Sequence, residues 1–255
     1  MKIFNVRITF FLIILLFTYT KTISLKELKL QNYKTISEQC EEALDFYIER
    51  PDLEAEFLQR LSFCEDTVND ISPEGYQVNP IISNFKSSYG VNGRTRMNVH
   101  QGIDIIGSAN EFIIAIADGE VLETSVTECE GPSIVIDHGM SLDNKKLITI
   151  YSHVGEFSVK EGDAVKRGDM IAKLPKKIDF PCMARVRHLH LQIGQKYCEK
   201  EEKNTWGCNF YIKDLYSSLN PNDYWADGPD KITCFNKNKK YKDGTITYPF
   251  ACNKI

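Results

Sequence analysis

The segment His188-Leu-His-Leu-Gln-Ile193 is the most informative stretch of this 255-residue chain for predicting its fold. Polar and apolar residues alternate along it, which is the period of a β-strand with one face against a hydrophobic core. Because alternate side chains of a strand share a face, both histidines and Gln192 are expected on one side and the leucines and Ile193 on the other. The segment therefore predicts a strand that holds two imidazoles on the face opposite the core.

Similar short strands are predicted upstream of this segment. Apolar, mostly β-branched runs occur at 113–116, 133–136 and 147–150, and turn sequences occur at 118–119, 137–139, 161–163 and 167–169. Many short strands with regular turns are typical of a mainly β fold, here an antiparallel sheet or barrel-sandwich core over residues 73–196.

The two flanking regions have a different character. Apolar residues recur at helical spacing over 25–72 and Pro51 interrupts the pattern, which predicts an N-terminal helical hairpin. Residues 197–255 contain four of the eight cysteines and both tryptophans, and they are expected to form a cysteine-rich, disulfide-tied C-terminal extension.

The first 24 residues have the layout of a secretory signal peptide. Lys2 and Arg7 precede an apolar run at 10–17, and mostly small and polar residues follow at 18–24. We expect cleavage, a secreted protein and no stable association with a membrane afterwards; an uncleaved signal anchor is the alternative. Cleavage would shift the formal net charge from −4 to −7, and an acidic protein of this kind lacks the electrostatic footprint for nucleic acid.

Eight cysteines behind a signal peptide predict disulfides formed in an oxidising compartment. Metal ligation is the alternative, but the chain contains no C-x-x-C pair. Sequence does not determine the pairing. The working hypothesis joins nearest neighbours: Cys40–Cys64, Cys129–Cys182, Cys198–Cys208 and Cys234–Cys252.

Four of the five histidines fall in three short motifs: His100-x-x-x-Asp104, Tyr151-Ser-His153 and His188-x-His190. Two imidazoles and one carboxylate would leave the fourth position of a tetrahedral zinc ion open for water, the arrangement of catalytic zinc sites. A chance pair of solvated or hydrogen-bonded histidines is the alternative for the H-x-H motif alone.

Around these motifs, over about residues 78–195, the sequence resembles the lysostaphin-type (LytM-like) zinc metallopeptidases, which are peptidoglycan endopeptidases. The matching pieces are the three histidine motifs and the segments at 115–121, 134–139 and 159–168. The resemblance implies one Zn²⁺ held by His100, Asp104 and His190. It further implies that His153 and His188 flank the metal-bound water and stabilise the oxyanion of the tetrahedral intermediate.

Neighbouring residues receive weaker predictions. Tyr151 and Gln192 are predicted to orient the metal ligands, and His138, which matches a family turn, is expected to be structural or solvated. The family's glycine-rich approach to the H-x-H motif is replaced here by residues 182–187, so Arg185 and Arg187 are expected at the mouth of the groove.

The sequence thus predicts a secreted, monomeric zinc metalloendopeptidase that hydrolyses peptide cross-bridges of bacterial peptidoglycan. The main alternative is a non-catalytic zinc-binding module of the same fold, used for signalling or for binding cell walls. A biotinyl- or lipoyl-carrier domain is suggested by the rhythm of 159–168, but no lysine stands at the expected hairpin tip. A cupin would need a glutamate soon after its H-x-H motif, where this chain has Gln192 and Gln195.

Overall fold

The computed structural model describes residues 73–79, 81–88, 90–91, 96, 98–184, 186–195, 197 and 218–254. The predicted signal peptide, the helical region 25–72 and the pairings Cys40–Cys64 and Cys198–Cys208 lie outside these residues. Within them, no helix is long and apolar enough to cross a membrane.

The described part of the chain is built mainly from β-strands, as predicted. They are β1 (Tyr76–Gln77), β2 (Ile81–Ser83), β3 (Gly102–Ile106), β4 (Phe112–Ile114), β5 (Gly119–Thr127), β6 (Gly131–Met140), β7 (Lys146–Ser152), β8 (Ala164–Val165), β9 (Met170–Lys173), β10 (His188–Gly194) and β11 (Asn253–Lys254). Two short 3₁₀ helices, Pro181–Met183 and Pro221–Asp223, accompany them.

Seven of the strands form one sheet in the order β2-β3-β10-β7-β6-β5-β8, and every neighbouring pair is antiparallel. Two further pairs, β1 with β11 and β4 with β9, are also antiparallel. The strand of the H-x-H motif, β10, therefore lies between β3 and β7. This neighbourhood brings together motifs that are far apart in sequence.

One face of the large sheet packs on the hydrophobic core. Ile103 and Ile105 of β3, Tyr151 of β7 and the apolar residues of β10 belong to this cluster. The same cluster includes Trp225, Tyr248 and Phe250, which lie in the described range 218–254. This part of the C-terminal extension therefore shares the core of the sheet. The disulfide Cys234–Cys252, with Cα atoms 5.9 Å apart, closes this part as predicted.

The hairpin between β5 and β6 has a short turn that packs against the segment before Cys182. Thr127 pairs with Gly131, which leaves a turn of three residues, 128–130. Gly131 has a φ of 71°, a left-handed conformation that favours glycine, and a Cβ atom there would lie 2.4 Å from the Phe180 ring. The sequence therefore fixes both the turn and its close contact with the segment before Cys182.

Candidate metal centre

Three side chains converge on one point on the face of the sheet opposite the core. His100 Nε2 lies 3.0 Å from Asp104 Oδ1 and 3.0 Å from His190 Nδ1, and the last two atoms are 2.8 Å apart. Zinc bonds of ordinary length in tetrahedral geometry separate ligand atoms by about 3.3 Å. The three atoms therefore form a triangle of nearly the size that a zinc ion requires, from the donor types that zinc prefers.

The strand register accounts for two of these three positions. His190 of β10 is paired directly with Asp104 of β3, so both side chains leave the sheet on the same face. His100 precedes β3 and is oriented by the loop after β2: its Nδ1–H donates to the backbone oxygen of Asn84, at 2.9 Å. That hydrogen bond leaves the Nε2 lone pair of His100 directed at the other two ligand atoms.

The second nitrogen of His190 is also held. Its Nε2–H donates to Oε1 of Gln192 at 3.3 Å, and the Gln192 amide donates to Ser218 Oγ at 2.9 Å. Gln192 is buried, and it stands on the same face of β10 as both histidines. It thus occupies the place predicted for a residue that orients a ligand, and it links His190 to the C-terminal part of the chain.

Asp104 divides its two carboxylate oxygens between different partners. Oδ1 faces the two histidines, whereas Oδ2 accepts a hydrogen bond from the Arg96 guanidinium at 3.0 Å. Burial alone would raise the pKa of the Asp104 carboxyl, but its close contacts with the surrounding imidazoles hold that pKa well below its usual range. Asp104 is therefore an anion with one oxygen directed at the centre.

His153 and His188 stand beside the triangle in edge contact, with ring centroids 4.7 Å apart. Each donates its Nδ1–H to a backbone oxygen, His153 to Glu130 at 2.8 Å and His188 to Val186 at 2.7 Å. Each ring therefore keeps an unprotonated Nε2, and that of His188 lies 3.8 Å from Asp104 Oδ1. Burial lowers the pKa of His153 to about 4 and that of His188 to about 3, so both can accept a proton at neutral pH.

The backbone at His153 is strained. β7 ends at Ser152, and His153 has a φ of 63°, in a region that residues other than glycine rarely adopt. Such a conformation costs on the order of 1 kcal/mol or more and persists where the surrounding structure imposes it. Here it accompanies the Nδ1 bond that aims the ring.

Tyr151 and His138 lie outside this cluster. Tyr151 is paired with Leu191 and points into the core, where its hydroxyl accepts a hydrogen bond from the Ile116 N–H at 3.0 Å. The prediction that Tyr151 orients a ligand is therefore wrong. Tyr151 lies on the core face of β7, whereas His153 follows the end of that strand with a left-handed backbone and lines the groove. His138 is hydrogen-bonded to Asp118 O and Thr149 Oγ1, both at 2.9 Å.

The prediction for Arg187 at the mouth of the groove is also wrong. Its side chain is buried and donates to the backbone oxygens of Pro175, at 2.8 Å, and Lys176, at 3.1 Å. Arg185 lies outside the described residues. The neighbouring prediction for Cys182 is confirmed: it forms a disulfide with Cys129, with Cα atoms 5.0 Å apart.

A groove of about 250 Å³ surrounds the five predicted site residues. Two further charged side chains line it, Arg96 and Glu130. Neither was predicted from the sequence, since Arg96 belongs to no motif and Glu130 stands in a turn whose path toward His153 has no sequence signal.

Residues 98–203 match the sequence model of peptidase family M23, and all five predicted site residues lie inside this match. Similar solved structures include the catalytic domain of the antimicrobial peptidase lysostaphin from Staphylococcus simulans (19% identity, 60% of this chain and 91% of that chain, TM-score 0.36). Others are LytU (22% identity, 58% and 88%, TM-score 0.40) and a zinc containing peptidase from Vibrio cholerae (26% identity, 50% and 36%, TM-score 0.36). Likenesses at TM-scores this low do not establish a shared fold by themselves, so the assignment depends on the family match. Residues 98–203 of this chain are therefore similar in sequence to peptidase family M23.

Proposed function

We propose that this protein is a zinc-dependent metalloendopeptidase that hydrolyses peptide cross-bridges of bacterial peptidoglycan. One observation carries the proposal. The His100–Asp104–His190 triangle and two unprotonated imidazole nitrogens lie in the same groove, inside the segment that matches family M23.

The donor set fits a single zinc ion. His100 Nε2, His190 Nδ1 and Asp104 Oδ1 would hold it, and the remaining polar atom of each ligand is held by Asn84, Gln192 or Arg96. Three protein ligands leave one position of a tetrahedral site open, as catalytic sites require. When bound, zinc polarises the scissile carbonyl and lowers the pKa of a water molecule towards about 7.

The chain's own residues supply the proton transfers. The Nε2 atoms of His153 and His188 are acceptors, so either can take the proton that the attacking water loses. The resulting imidazolium N–H can donate to the developing oxyanion. As the C–N bond breaks, the imidazolium gives its proton to the leaving nitrogen, which departs as an amine. No covalent enzyme intermediate is needed.

The family match and the small groove support a peptide substrate with small residues beside the scissile bond, such as a glycine-containing or D-amino-acid cross-bridge. We further propose that the protein acts outside the cell as a monomer, without stable membrane association after signal cleavage. The disulfides Cys129–Cys182 and Cys234–Cys252 support export, because such bonds persist in oxidising compartments.

Analysis of the digestion products tests this proposal. Zinc-loaded protein is incubated with purified peptidoglycan, and the soluble fragments are identified by mass spectrometry, with chelator-treated and zinc-restored samples beside them. We expect fragments cut within the peptide bridges, with glycan strands intact, in the zinc-containing samples only. Zinc-loaded protein that co-sediments with peptidoglycan but releases no fragments would favour the non-catalytic binding module.

A further inference from the structure

Glu130 places a carboxylate in the groove that has no part in holding the proposed metal. It is the last residue of the three-residue turn between β5 and β6. Among the described residues that line the groove, the carboxylates are those of Asp104 and Glu130, and only Asp104 belongs to the metal triangle. Glu130 therefore gives the groove a negative charge next to the reacting groups.

The backbone around Glu130 is fixed on several sides. Its N–H donates to Thr127 Oγ1 at 3.1 Å, and its carbonyl oxygen accepts the Nδ1–H of His153 at 2.8 Å. The preceding residue, Cys129, is bonded to Cys182, whose N–H donates to Cys129 O at 3.0 Å. The backbone that carries the Glu130 side chain is thus held in place before any ligand arrives, which reduces the ordering cost of binding.

Two hydrogen-bond acceptors face each other at this point. Glu130 Oε2 lies 3.4 Å from His153 Nε2. Because His153 uses its Nδ1–H on the Glu130 backbone, its Nε2 carries a lone pair when the ring is neutral, and it cannot donate to the carboxylate. A group with several N–H donors placed between the two atoms would satisfy both.

The carboxylate also lacks a cationic partner in the described part of the chain. No lysine or arginine described there forms an ion pair with Glu130, and Arg96, the basic residue lining the groove, is bonded to Asp104. The Glu130 side chain is 18% exposed, so water reaches only a small part of it. Burial raises the pKa of its carboxyl, although the positive charge of Arg96 across the groove acts in the opposite direction.

We propose that Glu130, together with His153 Nε2, binds a primary ammonium group of the substrate and so makes the enzyme prefer peptides with a lysine-type amine close to the scissile bond. An ammonium has three donors and a compact charge, so it can bridge both acceptors. Its presence leaves His188 Nε2 to take the proton of the attacking water. The inference rests on the proposed function for the meaning of "scissile bond", but the binding site itself does not depend on cleavage.

The test uses glycine-rich decapeptides, acetylated at the N-terminus, with one lysine or one Nε-acetyllysine moved along the chain. Binding to zinc-loaded protein is measured by titration calorimetry, and kcat/KM is measured for each peptide. At one position or more, lysine should bind about tenfold tighter than acetyllysine, which is typical of a partly buried charged hydrogen bond. At that position the lysine peptide should also be cleaved with a larger kcat/KM than the acetyllysine peptide.

Three variants define the result. Glu130→Gln should bring the lysine-to-acetyllysine ratio close to one, and Glu130→Asp should keep part of it. The matched control is Glu128→Gln, an exposed residue of the same turn, which should keep the full ratio. Zinc content and circular dichroism establish that each variant is folded.

Equal or absent binding of lysine and acetyllysine peptides to the wild-type protein at every position would overturn the inference. So would an unchanged ratio in folded Glu130→Gln. Discrimination in binding without cleavage of any peptide would instead reject the proposed hydrolysis and leave the ammonium site in place. The two ideas therefore fail separately.

Discussion

Gln192 Oε1 lies 3.3 Å from His190 Nε2, and this contact determines which nitrogen of the ring faces the metal centre. Because Nε2–H donates to Gln192, Nδ1 keeps its lone pair toward His100 and Asp104. Ser218 accepts a hydrogen bond from the Gln192 amide, so a residue of the C-terminal extension contributes to the orientation of a ligand on β10.

Replacing Gln192 by alanine should therefore weaken zinc binding about 10- to 100-fold, the usual effect of removing a hydrogen bond behind a metal ligand. Competition with a chromogenic chelator measures the affinity. Gln195→Ala, just beyond the end of the same strand, is the control and should bind zinc like the wild type. Equal affinities in the two variants would show that the Gln192 contact has no part in metal binding.

Arg96 should act on the same centre through Asp104. Its guanidinium occupies Oδ2 at 3.0 Å and leaves Oδ1 for the metal. Arg96→Ala frees Oδ2, and we expect about a tenfold loss of zinc affinity, with Arg96→Lys intermediate because an ammonium cannot reproduce the planar guanidinium. The chelator competition applies here too, with Gln101→Ala as a groove-lining control. An unchanged affinity in Arg96→Ala would remove Arg96 from the metal centre.

The two described disulfides should differ in their effect on activity. Converting either pair to serines should lower the free energy of unfolding by about 3–4 kcal/mol, since the closed loops span 53 and 18 residues. Only loss of Cys129–Cys182 should also slow hydrolysis at temperatures where both variants are folded, because that bond fixes the turn of Glu130 beside His153. Urea denaturation and peptide hydrolysis give the two readouts, and equal slowing by both variants would argue against a local role.

His138 predicts a pH dependence of stability. Burial lowers the pKa of its partly buried ring from 6.5 to about 4, so between these values the unfolded chain binds a proton that the folded chain does not. The free energy of unfolding should therefore fall as the pH drops from 6.5 to 4. The slope from this residue is at most about 1.4 kcal/mol per pH unit, and it is smaller where solvent reaches the ring.

His138→Gln should flatten that slope while keeping zinc content and activity, since the residue lies outside the groove. Urea denaturation at several pH values in excess chelator isolates the effect from zinc loss. A slope identical to that of the wild type would show that His138 does not cause the pH dependence of the free energy of unfolding.

The parts of the structure that local periodicity controls were predictable from the sequence. The alternation in β10 predicted which face carries His188, His190 and Gln192, and the structure has them there. Applied to Tyr151 and His153, which are two residues apart, the same rule predicts a shared face. It fails there because β7 ends at Ser152 and His153 has a φ of 63°. β5 was not identified as a strand, because polar residues interrupt its apolar ones along its nine residues.

Contacts that depend on loop paths were not predictable. Arg96 reaches Asp104 across eight residues, and Glu130 reaches His153 across twenty-three. Nothing in the local sequence of either residue encodes these approaches, which follow from the antiparallel order of the sheet and from the Cys129–Cys182 bond.

The central claim is that this groove hydrolyses peptide bonds with zinc held by His100, Asp104 and His190. The most direct measurement is the release of new amino groups from purified peptidoglycan by zinc-loaded wild-type protein and by His188→Ala, each with its zinc content determined. We predict release by the wild type that a chelator stops, and a variant that keeps its zinc but is slower by at least about 100-fold. A variant that retains both zinc and full activity, or a zinc-loaded wild type that releases no amino groups, would contradict the account.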